Sequence, residues 1–191
     1  HCVTGVQTCA LPIWWSVKSL LRTLVLSQTY QQSSQVRPVV FERDPRNVWL
    51  ARQGRWRLSG EQVRDAGLAA SGLLNPVVGG PSVKPPQPAS VSKEGYANTW
   101  EASLGADRYR RGLYTFLQRT SPFAQLVTFD LPDTSRSCSR RERTNTPLQA
   151  LTLLNDPVFV EMAVALAARV TREIPGDDDA GRLDQIGRAH V

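Results

Sequence analysis

Two helix starts lie ten residues apart near the end of the chain, and they constrain the fold more than any other feature. Thr146-Pro147-Leu148-Gln149 has the sequence of a capping box, in which the Thr146 hydroxyl accepts from the Gln149 amide and the Gln149 side chain reaches back. Asp156-Pro157 repeats this arrangement, with an aspartate cap followed by proline at the first helical position. The pattern predicts two successive helices, joined at a sharp bend and packed as a helical hairpin.

The rest of the chain also favours helices. Ser16 is a candidate N-cap, Ser59 and Gln62 have the spacing of a second capping box, and Gly72 is a candidate helix end. The spacing of apolar residues predicts helices over 14–28, 44–50, 59–71, 121–129, 147–155 and 157–174. Residues 110–119 are rich in residues typical of strands. We therefore expect a mostly α, irregular helical domain with at most a short strand pair.

A long loop rich in proline and glycine interrupts this helical pattern. Residues 73–97 contain Asn75-Pro76, Gly79-Gly80-Pro81, Pro85-Pro86 and Pro88, which are signals for turns and breaks. Valines at 77, 78 and 83 favour a loop that packs on the surface of the domain.

Both ends of the chain resemble translated sequencing adapter. Residues 3–13 and 186–191 can be encoded by opposite strands of one short DNA string that is similar to a common library adapter. We therefore expect residues 1–13 and 186–191 to be adapter-derived, and residues 14–185 to form a single helical domain fragment. Both histidines, His1 and His190, fall in the adapter-like ends, and Cys138 is the one cysteine outside them.

Composition then excludes several kinds of chemistry for residues 14–185. Without histidine there is no Ser-His-Asp triad, no haem-attachment motif and no Cys/His zinc set. The chain has 23 basic and 17 acidic residues, and setting Arg188 aside leaves a net charge of +5. That charge is modest and accompanies no nucleic-acid motif, so nucleic acid is not the expected partner. No apolar run reaches the about 18 residues of a membrane span.

A basic stretch before the first capped helix supplies the candidate binding residues Arg140, Arg141, Arg143 and Asn145. Arginine presents a planar fork that binds carboxylate, sulfate or phosphate groups through two hydrogen bonds. The alternative is that these arginines pair internally with Asp130, Asp133, Glu142 or Asp156 and tie the loop to the helices. We favour internal pairing.

Asp130 and Asp133 are the one close pair of carboxylates beside these cations, and they are weak candidates for catalysis of the kind that glycoside hydrolases perform. Aspartates in turns more often cap or brace the backbone. Cys138 lies among the arginines, and either a reactive thiol or a small buried side chain fits that position. We expect it to be buried.

Several segments, in order along nearly all of residues 14–185, carry a family resemblance. The chain resembles the C-terminal domain of large planctomycete multidomain proteins, the domain-of-unknown-function family number fifteen fifty-three, which usually accompanies a planctomycete cytochrome c domain. The carrying segments include Ser27-Gln28-Thr29-Tyr30-Gln31-Gln32-Ser33-Ser34, Arg43-Asp44-Pro45-Arg46-Asn47, Tyr109-Arg110-Arg111-Gly112-Leu113-Tyr114-Thr115-Phe116 and the stretch 140–157.

The resemblance implies a domain architecture and the kind of neighbouring domains, but it does not imply a reaction. It implies an extracytoplasmic protein with haem c on a separate upstream domain, and no cofactor in this chain. We therefore expect an accessory domain that binds or positions a polymeric or anionic substrate, such as an acidic or sulfated polysaccharide, or an upstream partner domain. Two alternatives stay open: a carboxylate-based hydrolase domain acting on polysaccharide, and a purely structural docking scaffold.

Overall fold

The computed structural model describes residues 16–88, 100–119 and 121–189, which belong to two compact units divided between Trp56 and Arg57. Several predictions fall outside the described residues: the first adapter-like segment, the helix start at Trp14 and Trp15, and the end of the proline-rich loop from residue 89 onward. Residues 186–189 of the second adapter-like segment lie within the last helix. The origin of both segments stays a prediction.

The first unit begins with helix α1, Val17–Val25, which is shorter than the predicted 14–28. Ser16 caps it as expected, because its hydroxyl accepts from the Ser19 amide at 3.3 Å. The next helix, α2, spans Pro38–Arg43 and starts with proline at its first position. Neither helix has a buried residue.

The predicted helix over 44–50 is wrong, and α2 forms before it instead. The Asp44 carboxylate accepts from the amides of Val48 and Trp49, both at 2.9 Å, and so closes a turn. Asn47 and Leu50 adopt left-handed backbone angles, with φ of 54° and 52°, which no right-handed helix accommodates. Asp44 therefore organises a loop here and does not cap a helix.

The second unit is built on two packed helices, α3 over Gly60–Ser71 and α6 over Pro157–Glu173. The Ser59–Gln62 capping box forms in full, and α3 stops at Gly72, whose left-handed φ of 77° suits glycine. The core between the two helices is apolar and contains Leu68, Phe129, Val158, Phe159 and Met162. A smaller cluster comprises Trp100, Phe123 and Leu126.

Arg110 holds the proline- and glycine-rich loop in place. Its guanidinium donates to the carbonyls of Val77, Gly79 and Pro81, and it lies 3.9 Å from the centre of the Tyr114 ring. The side chain is buried because the loop folds over it. The described part of the loop, residues 73–88, thus packs on the domain as predicted, although its valines differ: Val83 is buried, whereas 77 and 78 are exposed.

The strand predicted over 110–119 does not form. Short 3₁₀ turns occupy Gly105–Tyr109 and Gly112–Tyr114, and only isolated parallel bridges join Asn75 to Arg110 and Val83 to Thr115. Each bridge pairs this segment with the proline-rich loop at a single residue. Among the described residues no continuous series of backbone hydrogen bonds follows, so residues of strand-like composition lie in turns here. The described part of the chain is mostly helical, as predicted.

The structure describes three further helices in the second unit: α4 over Ala124–Thr128, α5 over Pro147–Asn155, and α7 over Asp179–Ala189. Both predicted caps of the bent pair form, but the predicted helical hairpin is wrong, because the chain turns by only 58° between α5 and α6. The Thr146 box closes on Gln149, and the Asp156 carboxylate accepts from the Val158 amide at 2.8 Å. No single described helix is long and apolar enough to cross a membrane, but α5 and α6 together meet that test and bend by 58° where they join.

Candidate functional site

The candidate site is the basic segment, residues 136–143, together with the acidic turn before it and the start of α5 after it. Asp130 is the residue that holds these parts together. Its carboxylate accepts from the Thr144 amide at 2.8 Å and from the Thr144 hydroxyl at 2.7 Å. The Arg57 guanidinium lies 3.6 Å away. The exit of the basic segment is thereby fixed to the end of α4.

Asp130 is a bracing residue in this arrangement. The Thr144 amide and hydroxyl, together with the nearby Arg57 charge, hold the pKa of Asp130 below its ordinary value despite partial burial. Its φ of 63° is left-handed, a conformation that aspartate tolerates better than most residues. An ionised carboxylate whose oxygens already accept hydrogen bonds from a backbone amide and a hydroxyl suits structural support and is poorly suited to general acid chemistry.

Asp133 has a separate, local role. Its carboxylate accepts from the amide and hydroxyl of Ser135, at 2.9 and 2.6 Å, which forms a tight turn. These two hydrogen bonds also lower the pKa of Asp133. Arg136 approaches it at 3.9 Å, with both side chains largely exposed. Each of the two candidate catalytic carboxylates thus accepts hydrogen bonds from its own turn or loop, and no direct contact joins Asp130 and Asp133 among the described hydrogen bonds and ion pairs.

The four predicted binding residues have different environments. Arg141 donates to both oxygens of Glu61 on α3, at 2.9 Å each. Arg140, Arg143 and Asn145 are exposed. The partners proposed from the sequence for the arginines were Asp130, Asp133, Glu142 and Asp156, and for Arg141 the observed partner is a different residue. Internal pairing therefore does occur at 141, through a residue of another helix.

An open cavity of about 530 Å³ lies beside the basic segment. The charged residues that line it are Asp130, Asp133, Arg136, Arg140, Arg141 and Glu142. Arg140 has no hydrogen bond or ion pair through its guanidinium to any residue the structure describes, and it is the arginine best placed to meet an external anion. Cys138 lies in the same wall, exposed, and its thiol donates to the Arg140 carbonyl. The expectation of a buried Cys138 is wrong, because the basic segment runs over the surface.

Helix α5, which starts where the basic segment ends, has an inverted pattern of burial. Gln149 is 3% exposed, whereas Leu148, Leu151 and Leu154 are 61%, 54% and 72% exposed. The Gln149 amide donates to the Thr128 carbonyl at 2.9 Å and lies within 3.4 Å of Asp130, so the polar side chain is satisfied inside the protein. We refer to Leu148, Leu151 and Leu154 as the leucine face.

Sequence reasoning missed three residues that organise this site: Glu61, Arg57 and Gln149 in its buried role. Glu61 and Arg57 lie far from the basic segment along the chain, and no local pattern links them to it. Gln149 was identified as a cap, but the same side chain also joins α5 to the end of α4. In the described ranges, no group of three His, Cys, Asp or Glu side chains is arranged to hold a metal ion.

Comparison with known proteins shows where the chain belongs. Neither a curated protein nor a solved structure matches it. A family model described as PSD1, protein of unknown function (DUF1553), matches residues 13–190, which is nearly the whole chain. This chain is therefore a member of the DUF1553 family of proteins of unknown function.

Proposed function

We propose that this chain is an accessory docking domain, which packs against another domain of a larger protein. The observation that carries the proposal is the leucine face of α5. Leu148, Leu151 and Leu154 are exposed on one side of this helix, Leu153 is exposed as well, and Gln149 holds the helix to the end of α4. An amphipathic helix normally turns its apolar stripe inward, so an outward stripe is typical of a surface that a partner covers.

Helix α6 exposes apolar side chains as well. Val160 and Val164 are exposed and lie one turn apart, while Val158, Phe159 and Met162 fill the core on the other side of the helix. The helix is thus apolar on two sides, which is typical of a helix packed between two layers. One layer is the α3 core, and a partner domain supplies the other.

The first unit supports the same role on its own evidence. Helices α1 and α2 have no buried residue, yet their apolar side chains Val17, Leu21, Leu24, Val39 and Phe41 are all about half exposed or more. The described residues of this unit, 16–56, form no apolar core, and a small helical unit of this kind gains most of its stability from apolar surface buried elsewhere. We propose that this surface, too, is covered in the larger protein.

The partner that we propose is an upstream domain of the same polypeptide. The family resemblance supports a planctomycete, extracytoplasmic protein in which a cytochrome c domain carries haem c and this chain carries no cofactor. A docking domain in that setting positions its neighbour, and any substrate that the neighbour binds, without reacting itself.

Binding in trans tests the proposal. The upstream domains and this chain are expressed separately, and their affinity is measured by titration calorimetry. The double change Leu151→Ser with Leu154→Ser should weaken binding about tenfold or more, since central apolar anchors dominate interfaces. Leu183→Ser on α7, which is equally exposed, is the matched control. Unchanged affinity in the double variant would contradict the proposal, and leucine-dependent self-association of the isolated chain would point to a second copy instead.

A second candidate function, binding of an acidic or sulfated polysaccharide, is favoured by the exposed Arg140 beside its cavity. Arg140→Lys should then weaken binding of a sulfated polysaccharide and leave thermal stability unchanged, because bidentate recognition needs the guanidinium fork. Arg172→Lys on the exposed side of α6 is the control. Equal binding by both variants would exclude this role for Arg140. The hydrolase alternative has no comparable support, since Asp130 and Asp133 brace the backbone.

A further inference from the structure

We propose that the first unit carries a binding site for an acidic saccharide. The site is an open cavity of about 800 Å³, bounded by residues 24–36 and 46–56, all of which belong to this unit. A cavity of this size accommodates a small-molecule ligand or a few units of a chain. The proposal does not depend on the leucine face or on the basic segment, because none of their residues line this cavity, and Leu24 is the one lining residue that the docking proposal also uses.

Two exposed aromatic rings form the apolar wall of the cavity. Trp56 is 74% exposed and Tyr30 is 54% exposed, although rings of this size are usually largely buried. Gly54 allows the indole to lie against the backbone, since a Cβ added at that position would fall 2.5 Å from the Trp56 Nε1 atom. The backbone thus sets the orientation of the ring, and a flat apolar ring offers a surface for the C–H face of a sugar.

The remaining lining is polar and carries positive charge. Three arginines line the cavity, and no acidic residue does so among the residues the structure describes. Arg52 is held by the carbonyls of Asp44 and Pro45, and Arg55 by the Ser34 hydroxyl, whereas Arg46 is exposed. This arrangement favours a ligand with carboxylate or sulfate groups, which arginine binds through paired hydrogen bonds.

The neutral polar side chains decide between a saccharide and a nucleic acid. Single-stranded nucleic acid is bound by a charged groove with successive stacking platforms. This cavity instead combines its two rings with hydroxyl and amide side chains, which both donate and accept and so match the hydroxyl groups of a sugar. These side chains are Thr29, Ser34 and Gln53. Ser27 and Asn47 also line the cavity, but their polar groups already bond to the backbone of this unit.

The backbone at the cavity wall is held in a rare conformation. Asn47 and Leu50 both have a left-handed φ, which is strained for a bulky leucine. The strain is maintained by the Asn47 side chain, which donates to the Arg52 carbonyl at 2.7 Å and accepts from the Arg52 amide at 3.2 Å. The Gln53 amide also donates to the Ser33 carbonyl at 3.1 Å, which joins the two walls. A strained and braced wall favours a site with a preset shape over a passive gap.

Titration calorimetry on the whole chain tests this site, with a galacturonate tetrasaccharide and a heparin-derived tetrasaccharide as probes. We expect at least one probe to bind, and Trp56→Ala and Arg46→Gln each to weaken it about tenfold. Trp49→Ala and Arg43→Gln are matched controls, because both residues are exposed in the same unit and lie outside the cavity lining. Trp56→Phe, which keeps an aromatic ring, should weaken binding less than the alanine variant and covers the case in which that variant fails to fold.

Four outcomes would overturn the proposal: no binding of either acidic probe, equal binding of a neutral galactose tetrasaccharide, tighter binding of a thymidine oligonucleotide, or equal losses in the Trp49 and Trp56 variants. The docking proposal is tested with variants on α5, whereas this site is tested with variants at Trp56 and Arg46. The failure of one proposal can therefore be distinguished from the failure of the other.

Discussion

The Arg141 guanidinium donates to both carboxylate oxygens of Glu61 at 2.9 Å and joins positions 80 residues apart. The basic segment is thereby attached to the first turn of α3, at the side of the capping box that starts this helix. The hydrogen bond to Arg141 also helps to hold the pKa of Glu61 below its ordinary value, against the effect of burial. Arg141 therefore has a structural partner, and the neighbouring Arg140 does not among the described residues.

A double-mutant cycle on Arg141→Ala and Glu61→Ala should give a favourable coupling of about 0.2–1 kcal/mol in the free energy of unfolding, because the arginine is nearly half exposed. The coupling should shrink in high salt. Arg140→Ala combined with Glu61→Ala is the control and should show no coupling. The measurement is urea denaturation of the single and double variants, and a coupling near zero for the Arg141 pair would show that the contact does not stabilise the protein.

The two caps at the bend should each stabilise the protein measurably. Thr146→Ala and Asp156→Ala should each lower the free energy of unfolding by about 1 kcal/mol, since each removes a side-chain acceptor from helix amides. Thr152→Ala on α5 is the control, because that hydroxyl donates to a carbonyl within the helix and caps nothing. Denaturant midpoints that do not move in either cap variant would contradict the role of these residues.

Stability at acid pH should depend on Asp130. Its folded pKa lies below the unfolded value, so the unfolded chain binds more protons and stability falls as pH falls through the folded pKa. Asp130→Asn should flatten this loss below about pH 5, while asparagine still tolerates the left-handed backbone. The urea midpoint is measured against pH, with Asp177→Asn on an exposed turn as the control. An unchanged acid slope in Asp130→Asn would refute this prediction.

The Arg64 side chain should stabilise the protein more through the volume that it fills than through its charge. Burial lowers its pKa to about 10, and its guanidinium donates to the Arg108 carbonyl at 2.7 Å inside the second unit. Arg64→Ala leaves a cavity and an unpaired carbonyl, and should lower the free energy of unfolding by about 3 kcal/mol or more. Arg64→Met fills the space without burying a charge, and should be clearly less destabilising. Equal losses in chemical denaturation would show that the charge or its hydrogen bonds dominate.

Local sequence determined the helix starts of this protein. The caps at Ser16, Ser59, Thr146 and Asp156 all form, because each depends on a side chain and an amide at most three residues away. Helical spacing likewise places the buried residues Val158, Phe159, Met162 and Val170 on one side of α6. The same spacing does not explain the exposed Val160 and Val164 on another side. The same local reasoning failed at Asp44. Its carboxylate accepts from the Val48 and Trp49 amides and closes a turn where a capped helix was predicted.

Tertiary structure decided which of these surfaces are buried and which residues meet at the candidate site. The spacing of α5 marks its leucines as apolar but does not say which side faces the core, and packing buried Gln149 because its amide reaches carbonyl and carboxylate acceptors there. The contacts of Arg141 with Glu61 and of Arg110 with the loop carbonyls join residues far apart in the chain. Such contacts depend on how whole elements pack, and no pattern within a few residues encodes them.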